Sequence, residues 1–203
     1  MTKISLSPNS DFMDMALKFL VSPCAYKGTF NPIELGHAIK CGVKEVLPDA
    51  LIKVVPLADG GDGTIQSLNF LKGGQLIEDE VPGPTGMPVN ASWLKLKNKD
   101  NDGFFAVVEL ASASGIAHLK ESQLNPLKAN TRGLGRLIKN CIYSSIREIY
   151  ITVGGSASTD GGMGALTELG TVFYGADGNV LPPEGNSLPL VRTVDCSGFS
   201  SEL

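Results

Sequence analysis

The chain has 203 residues, of which 42% are hydrophobic, so it can bury a core in one large domain or two small ones. Its 17 basic and 21 acidic residues give a net charge of −4, and no basic run is present, which makes nucleic acid a poor partner. The apolar stretches are far shorter than the roughly 20 residues that cross a bilayer, so no membrane partner is expected. The four cysteines show no CxxC spacing, which favours reduced thiols in a cytoplasmic protein.

The pattern of apolar residues divides the chain into three stretches. Residues 1–15 contain no apolar segment typical of a signal peptide, and we interpret them as a loose leader. Residues 16–74 alternate strand and helix signals, whereas residues 75–203 begin with strand-like runs separated by turns. The sequence therefore predicts two α/β parts.

The first part has the order strand, helix, strand, helix. Asn31 followed by Pro32 is typical of a helix start, with a cap residue before proline at the first helical position. Such an order predicts a parallel sheet with right-handed crossovers. The predicted elements are strands at Leu17–Val21 and Leu51–Leu57 and helices from Pro32 to before Pro48 and from about Thr64 to Leu71.

Turns rather than helices connect the strand-like runs of the second part. The segments PGPTGMP and NKDNDG contain the Pro, Gly, Asn and Asp residues of tight turns, which predicts an antiparallel section. The predicted elements are strands at Gln75–Val81, Val89–Leu96 and Phe104–Leu110, a helix at Arg132–Tyr143, a strand at Glu148–Val153, a helix through Leu169 and a strand at Thr171–Tyr174.

The strongest chemical signal is the segment GGSASTDGG, which lies between a predicted strand and a predicted helix. Free N–H groups and the positive end of a helix dipole make such a junction suitable for a phosphate. Asp160 is a candidate to hold Mg²⁺ or to accept a proton from a substrate hydroxyl. The alternative is a tight loop whose Ser and Asp residues cap the helix. The predicted cofactor contacts are Gly154, Gly155, Ser156, Ser158, Thr159, Gly161 and Gly162.

A second segment, ADGGDGT, also follows a strand and precedes a helix. Asp59 and Asp62 flank a glycine pair, so two carboxylates are expected at the carboxyl edge of a parallel sheet, where ligands bind. Paired carboxylates near a phosphate indicate metal binding or proton transfer, and the alternative is an Asp turn with a helix cap. Gly60, Gly61 and Thr64 are further candidate cofactor contacts.

Three other segments contain candidate binding residues. Lys27, in the loop after the first strand, is suited to neutralise a γ-phosphate or the carboxylate of an acid substrate, unless it is an ordinary exposed lysine. Glu109 is expected near a strand end, before small residues such as Ser114 that permit close approach of a ligand or of a packed helix. Thr131 and Arg132 stand at a helix start and are candidate anion contacts.

The order of these motifs resembles the glycerate kinase family, which includes bacterial glycerate 2-kinases. From about Ala16 to Leu203 the chain has KGT, ADGGDGT, PGPTGMPV, ELASASG, NPLKANTRGLG and GGSASTDGG in sequence. Several independent motifs in one order are far more specific than any single glycine loop.

The resemblance implies a two-domain α/β enzyme that uses ATP and Mg²⁺ to phosphorylate glycerate. Its cleft would lie between a Rossmann-like parallel sheet layer and a second α/β domain with an antiparallel section. Catalytic roles are predicted for Asp160, Asp59, Asp62 and Lys27, and metal binding for Asp160 and Asp62. Substrate contacts are predicted for Glu109, Ser114, Thr131 and Arg132.

The chain departs from the family pattern in two loops and in length. Cys24 and Ala25 stand where the family usually has Asp and Ser, and Arg132 and Arg136 stand where it usually has Tyr and Glu. The length implies an N-terminal half, with an incomplete second domain and a C-terminal half on a separate chain or lost. A truncated, non-catalytic module that binds a nucleotide or an organic acid is the alternative.

Overall fold

Strands and helices alternate through the computed structural model, which describes residues 16–26, 29–99 and 102–199. Short 3₁₀ turns occur between some of them. The elements are β1 (Lys18–Val21), α1 (Pro32–Val46), β2 (Leu51–Val54), α2 (Thr64–Lys72), β3 (Gln75–Pro82), β4 (Pro88–Lys97), β5 (Phe104–Glu109), α3 (Leu110–Ser114), α4 (Arg132–Tyr143), β6 (Glu148–Thr152), α5 (Met163–Glu168), β7 (Val172–Tyr174) and β8 (Thr193–Asp195).

The strands of the described residues form three sheets. β1 and β2 pair in parallel, β3 to β6 form a four-stranded sheet in chain order, and β7 pairs with β8. In the four-stranded sheet the β3–β4 and β4–β5 pairs are antiparallel and the β5–β6 pair is parallel. The predicted α/β class, with parallel and antiparallel sections, is confirmed. The Rossmann-like label and the division at residue 74 stay predictions.

The predicted start of α1 is confirmed in atomic detail. The Asn31 side chain accepts hydrogen bonds from the N–H groups of Ile33 at 3.0 Å and Glu34 at 2.9 Å. The Glu34 carboxylate in turn accepts from the Asn31 N–H group. This reciprocal capping box therefore satisfies N–H groups of the first helical turn and the N–H group of the cap residue itself. Pro32 fixes the first helical residue, which has no donor to lose.

Helices cover both faces of the four-stranded sheet. On one face Trp93 and Val108 pack with Leu137 of α4 in the larger core cluster. On the other face Leu94 and Val107 pack with Ile65 of α2. Neighbouring strand residues therefore point to opposite faces, and each face buries its own apolar set. This arrangement places the start of α2 beside the carboxyl end of β5.

Two glycines let α4 approach its neighbours closely. A Cβ atom on Gly133 would collide with the carbonyl oxygen of Pro82, and one on Gly135 with the carbonyl oxygen of Ala165. Both obstacles are backbone atoms, which cannot move aside without shifting β3 or α5. The GLG segment of α4 is therefore explained by packing, and it brings the start of α4 beside the start of α5.

Candidate functional site

The carboxyl ends of β5 and β6 lie side by side because these strands pair in parallel. Glu109 at the end of β5 is the register partner of Thr152 at the end of β6. The segments that follow, α3 and the loop 153–162, start from the same edge of the sheet. A backbone hydrogen bond of 2.9 Å from Ile116 to the carbonyl of Gly155 ties the two segments together.

The loop after β2 lies against this same edge. The Gly154 N–H group donates to the Gly60 carbonyl at 2.9 Å. A Cβ atom on Gly155 would lie 3.3 Å from a carboxylate oxygen of Asp62. The fold thus brings together the ADGGDGT and GGSASTDGG segments, which the sequence presents about a hundred residues apart.

The loop after β1 belongs to the same region. The Leu57 N–H group, beyond the end of β2, donates to the carbonyl of Pro23 at 2.9 Å. Because β1 and β2 are parallel, the loops that follow them leave from one end of the pair. Lys27, predicted for this loop, lies outside the described residues, so its position relative to Asp59 stays a prediction.

We expect Gly154→Ala to separate the two glycine loops. An added Cβ would lie 2.8 Å from Gly60 O and from Gly61 N and Cα, and all three are backbone atoms. The free energy of unfolding, measured by urea titration, should fall by about 1–3 kcal/mol. Gly42→Ala in α1 is the matched control, because no atom lies within 4 Å of its added Cβ. Equal stability of the two variants would contradict the close contact.

Glu109 is a buried carboxylate that caps α2 from another part of the chain. Its residue is 3% exposed, and its two oxygens accept hydrogen bonds from Gly63 N–H at 3.2 Å and Ile65 N–H at 3.0 Å. The first N–H groups of a helix have no acceptor within it, so a carboxylate there is favourable. Its predicted substrate contact stays a prediction.

The environment of Glu109 changes its pKa. Burial raises the pKa above the ordinary value of 4.5, the Asp62 charge adds to the rise, and hydrogen bonds from Ile65 and Gly63 oppose it. An acid with a raised pKa binds its proton more readily in the folded state than in the unfolded state. Its contribution to stability is therefore full below pH 4.5 and declines as the pH rises through the folded-state pKa.

We expect Glu109→Gln to reduce the free energy of unfolding by about 1–3 kcal/mol, since the amide nitrogen would face a buried N–H donor of α2. Glutamine does not titrate. The stability gap between wild type and variant should therefore narrow as the pH rises above 4.5. Urea titrations at a series of pH values from about 4 to about 8 measure this gap. A gap that stays constant or widens would contradict the raised pKa.

Asp160 is a buried hydrogen-bond hub at the start of α5. It is 1% exposed, and its Oδ2 atom accepts from the Thr131 N–H at 2.7 Å, the Thr131 hydroxyl at 2.8 Å and the Gly164 N–H at 3.1 Å. Its Oδ1 atom accepts from the Gly162 N–H at 3.1 Å and the Ser158 hydroxyl at 3.2 Å. A carboxylate accepts at about four lone-pair positions, so these donors use its capacity. This is the geometry of a cap, and the catalytic and metal roles of Asp160 stay predictions.

Thr131 and Arg132, at the start of α4, also have hydrogen-bond partners within the protein. The Thr131 hydroxyl, which donates to Asp160, accepts from the Ala165 N–H at 3.0 Å and so links α4 to α5. Arg132 is exposed, and its guanidinium donates to Glu168 through Nε at 2.7 Å and Nη2 at 2.6 Å. Their predicted substrate contacts are untested.

Glu168 is a buried carboxylate that sequence reasoning missed. Arg136 donates to its Oε2 atom at 2.8 Å, opposite the Arg132 contact on Oε1. Burial alone would raise the pKa of Glu168, but the hydrogen bonds and charges of Arg136 and Arg132 hold it below its ordinary value. The two arginines thus compensate one buried acid. No sequence signal reveals the pairing, because the partners are 32 and 36 residues apart.

Several polar groups at this edge are unpaired. Within the described ranges, the N–H groups of Gly155, Ser156, Asp160 and Gly161 have no acceptor, whereas that of Ala157 donates to the carbonyl of Ser114. The hydroxyl oxygens of Ser114 and Thr152 are buried there without a partner. Unsatisfied donors are costly in a protein and suit an anion. Thr152 was missed because only strand register places it beside Glu109.

The two aspartates of the ADGGDGT loop differ in exposure and in hydrogen bonding. Asp59 is exposed, and its Oδ1 atom accepts from the Gly61 N–H at 2.9 Å, as in an Asp turn. Asp62 is half-buried, and its carboxylate has no hydrogen bond to another described residue. The described part of the chain contains no group of three or more His, Cys, Asp or Glu residues placed to hold a metal ion. Both oxygens of Asp160 accept hydrogen bonds, whereas those of Asp62 accept none from the described residues, and the metal roles of both stay predictions.

The mixed α/β fold with glycine loops at one sheet edge belongs to the class of α/β proteins that bind ligands at the carboxyl ends of their strands, and comparison with known proteins specifies the family. The model of the glycerate kinase family matches residues 19–203, so the chain belongs to the glycerate kinase family, and the resemblance in its motifs is confirmed.

Named relatives agree with this membership. The chain is 37% identical to glycerate kinase of Bacillus subtilis and 36% identical to glycerate 2-kinase of Escherichia coli, in each case over 92% of this chain and 48% of the relative. A crystal structure of glycerate kinase 2 from Salmonella typhimurium superposes with a TM-score of 0.69 at 35% identity, covering 93% of this chain and 50% of that one. The chain thus spans about half the length of the relatives it matches.

No helix in the described ranges is long and apolar enough to cross a membrane.

Proposed function

We propose that this chain supplies part of a glycerate kinase, which transfers the γ-phosphoryl group of ATP to a hydroxyl of glycerate. Family membership and the names of the relatives support the reaction class. The observation that carries the proposal is the meeting of two glycine loops at one sheet edge, with unpaired N–H groups and free carboxylate oxygens among them. Phosphoryl transfer depends on charge neutralisation and positioning, which this set of groups is suited to provide.

The proposed anion contacts are the free donors of the second glycine loop. The N–H groups of Gly155 and Ser156 and the hydroxyl of Ser114 would donate to oxygens of a phosphate or of the glycerate carboxylate. These donors need not reorganise when charge develops, because the backbone bridge between 115 and 156 already fixes the loop. Exclusion of water from the buried Ser114 would strengthen its hydrogen bond.

Asp62 is the proposed carboxylate for the reacting groups. Its oxygens would orient the attacking hydroxyl and take its proton, or bind Mg²⁺, which when bound with ATP supplies positive charge to the phosphate oxygens. Asp59 is the second candidate for either role. Asp160 and Glu109 act as positioning residues in this proposal, since each holds the start of a helix beside the loops. Lys27 is proposed to neutralise phosphate or substrate carboxylate charge.

A second candidate is a non-catalytic module that binds a nucleotide or an organic acid, because the unpaired N–H groups of the GGSASTDGG loop suit an anion whether or not turnover follows. The two candidates differ in turnover and not in binding. Calorimetric titration with Mg-ATP and with glycerate tests binding, and a coupled assay of ADP release tests turnover. We expect the chain alone to bind at least one ligand and the chain completed with the other family half to release ADP only when glycerate is present. Binding without turnover in the completed protein would favour the module.

A further inference from the structure

Thr159 ties the loop 153–162 to a distant segment of the chain. Its N–H group donates to the carbonyl oxygen of Pro126 at 3.0 Å, and its hydroxyl donates to the same oxygen at 3.1 Å. A donor that is engaged within the protein is not free for a phosphate. Thr159 therefore holds the loop to the segment before α4, and its predicted cofactor contact stays a prediction.

The 3₁₀ turn Gly185–Leu190 packs against this tie. The Asn186 N–H group donates to the carbonyl of Leu127 at 3.0 Å, one residue after the acceptor of Thr159. A Cβ atom on Gly185 would lie 2.7 Å from Thr159 Oγ1 and 3.2 Å from Leu127 Cα. Turn 185–190 therefore sits directly on Thr159 and has no space for a side chain at its first residue.

Leu188, in the same turn, covers the last part of the loop. Gly161 has a φ of +60°, in the left-handed region that glycine adopts without strain. A Cβ atom there would lie 3.3 Å from Leu188 Cδ2 and 3.4 Å from Leu188 Cδ1, and the three atoms nearest to it all belong to Leu188. The side chain of Leu188 thus occupies the space beside a backbone turn that has no side chain of its own.

The free donors of the loop depend on such external ties. The N–H groups of Gly154 and Ala157, on either side of the unpaired donors of Gly155 and Ser156, donate to carbonyls of two other segments. Thr159 adds the third tie, and turn 185–190 covers it. Donors that are already held in place bind an anion without the cost of ordering the loop.

We propose that turn 185–190 is a clamp that holds loop 153–162 in the conformation that binds an anion. Leu188 is a positioning residue of this clamp: it does not touch the anion and acts through the backbone of Gly161. The inference rests on the proposed function, because it takes phosphate as a ligand of the loop. Releasing the clamp lowers the fraction of molecules in the binding conformation, and the apparent Kd rises in proportion.

The test is titration of the chain, labelled with ¹⁵N-glycine, with inorganic phosphate, and the NMR shift of the Gly155 amide gives the Kd. We expect Leu188→Ala to raise the Kd about tenfold, which corresponds to a binding-competent fraction of about one tenth. Leu188→Met, which keeps the side-chain volume, should retain the wild-type Kd. Equal Kd values for wild type and Leu188→Ala would overturn the clamp. An unshifted Gly155 amide in wild type would instead overturn the anion site, and the clamp with it, so the two failures are distinguishable.

A pair of glycine variants separates the clamp from a general loss of stability. Gly161→Ala and Gly162→Ala both add a methyl group at positive φ, but only the methyl at Gly161 meets Leu188, because no atom lies within 4 Å of the one at Gly162. We expect Gly161→Ala to raise the phosphate Kd by a smaller factor in the Leu188→Ala background than in wild type, since the crowding is gone. Gly162→Ala should have the same factor in both backgrounds. Equal factors for Gly161→Ala in the two backgrounds would overturn the proposal.

Discussion

We expect Asp160→Ala to reduce the free energy of unfolding by about 3–5 kcal/mol, or to prevent folding, because several buried donors lose their acceptor at once. The donors belong to three structural parts: the start of α4 at Thr131, the start of α5 at Gly162 and Gly164, and the loop hydroxyl of Ser158. Water cannot replace the carboxylate easily in a residue that is 1% exposed. Urea unfolding followed by circular dichroism measures the loss.

Asp160→Asn should give an intermediate loss of about 1–3 kcal/mol, since its amide oxygen can keep the contacts of Oδ2 while its nitrogen faces the Gly162 N–H donor. Asp177→Ala is the control, because Asp177 is exposed and, among the described residues, its carboxylate accepts hydrogen bonds only from the neighbouring Asn179. Its effect should stay within about 0.5 kcal/mol. If Asp160→Ala were no more destabilising than the control, the carboxylate would not be a structural hub and the catalytic prediction for Asp160 would be the better one.

Local signals predicted most elements of the fold. Asn31-Pro32 fixed the start of α1 because a cap and a proline act within one turn, and PGPTGMP indicated the β3–β4 hairpin because its residues favour tight turns. The parallel pairing of β5 with β6 was not predicted. It depends on which faces the helices cover, and α2 and α4 reach those faces from distant parts of the sequence.

The sequence predicted which glycine loops matter but not how their acids are used. Asp62 and Asp160 both lie in glycine-rich turns before a helix, and their local sequences are similar. Their environments differ because the partner of Asp160 is Thr131, 29 residues earlier, whereas Asp62 faces Gly155 across the junction of the loops. Glu109 likewise finds its donors 44 and 46 residues away. Long-range hydrogen bonds of this kind leave no periodic or local pattern in a sequence.

The different environments of Asp62 and Asp160 lead to a prediction about activity. In the chain completed with the other half of the family, we expect Asp62→Asn to lower kcat for glycerate-dependent ADP release by roughly two to four orders of magnitude, the range for positioned acid–base and phosphate-orienting groups. The melting temperature should not change, because the Asp62 carboxylate has no hydrogen bond to another described residue. Asp49→Asn, an exposed aspartate in the turn before β2, is the matched control and should retain full turnover.

A second readout for Asp62→Asn does not require activity. The negative charge of Asp62 contributes to the raised pKa of Glu109, so removing it should lower the pKa of Glu109, which carboxyl-carbon NMR of a labelled sample detects. One outcome is a lowered pKa of Glu109, a large loss of turnover and an unchanged melting temperature. This outcome would place the Asp62 charge at the reacting groups, beside the buried acid. Near-normal turnover with the same shift would show that Asp62 lies in the site without acting in the reaction, and Asp59 would then be the remaining carboxylate of the loop with an oxygen free for substrate or metal.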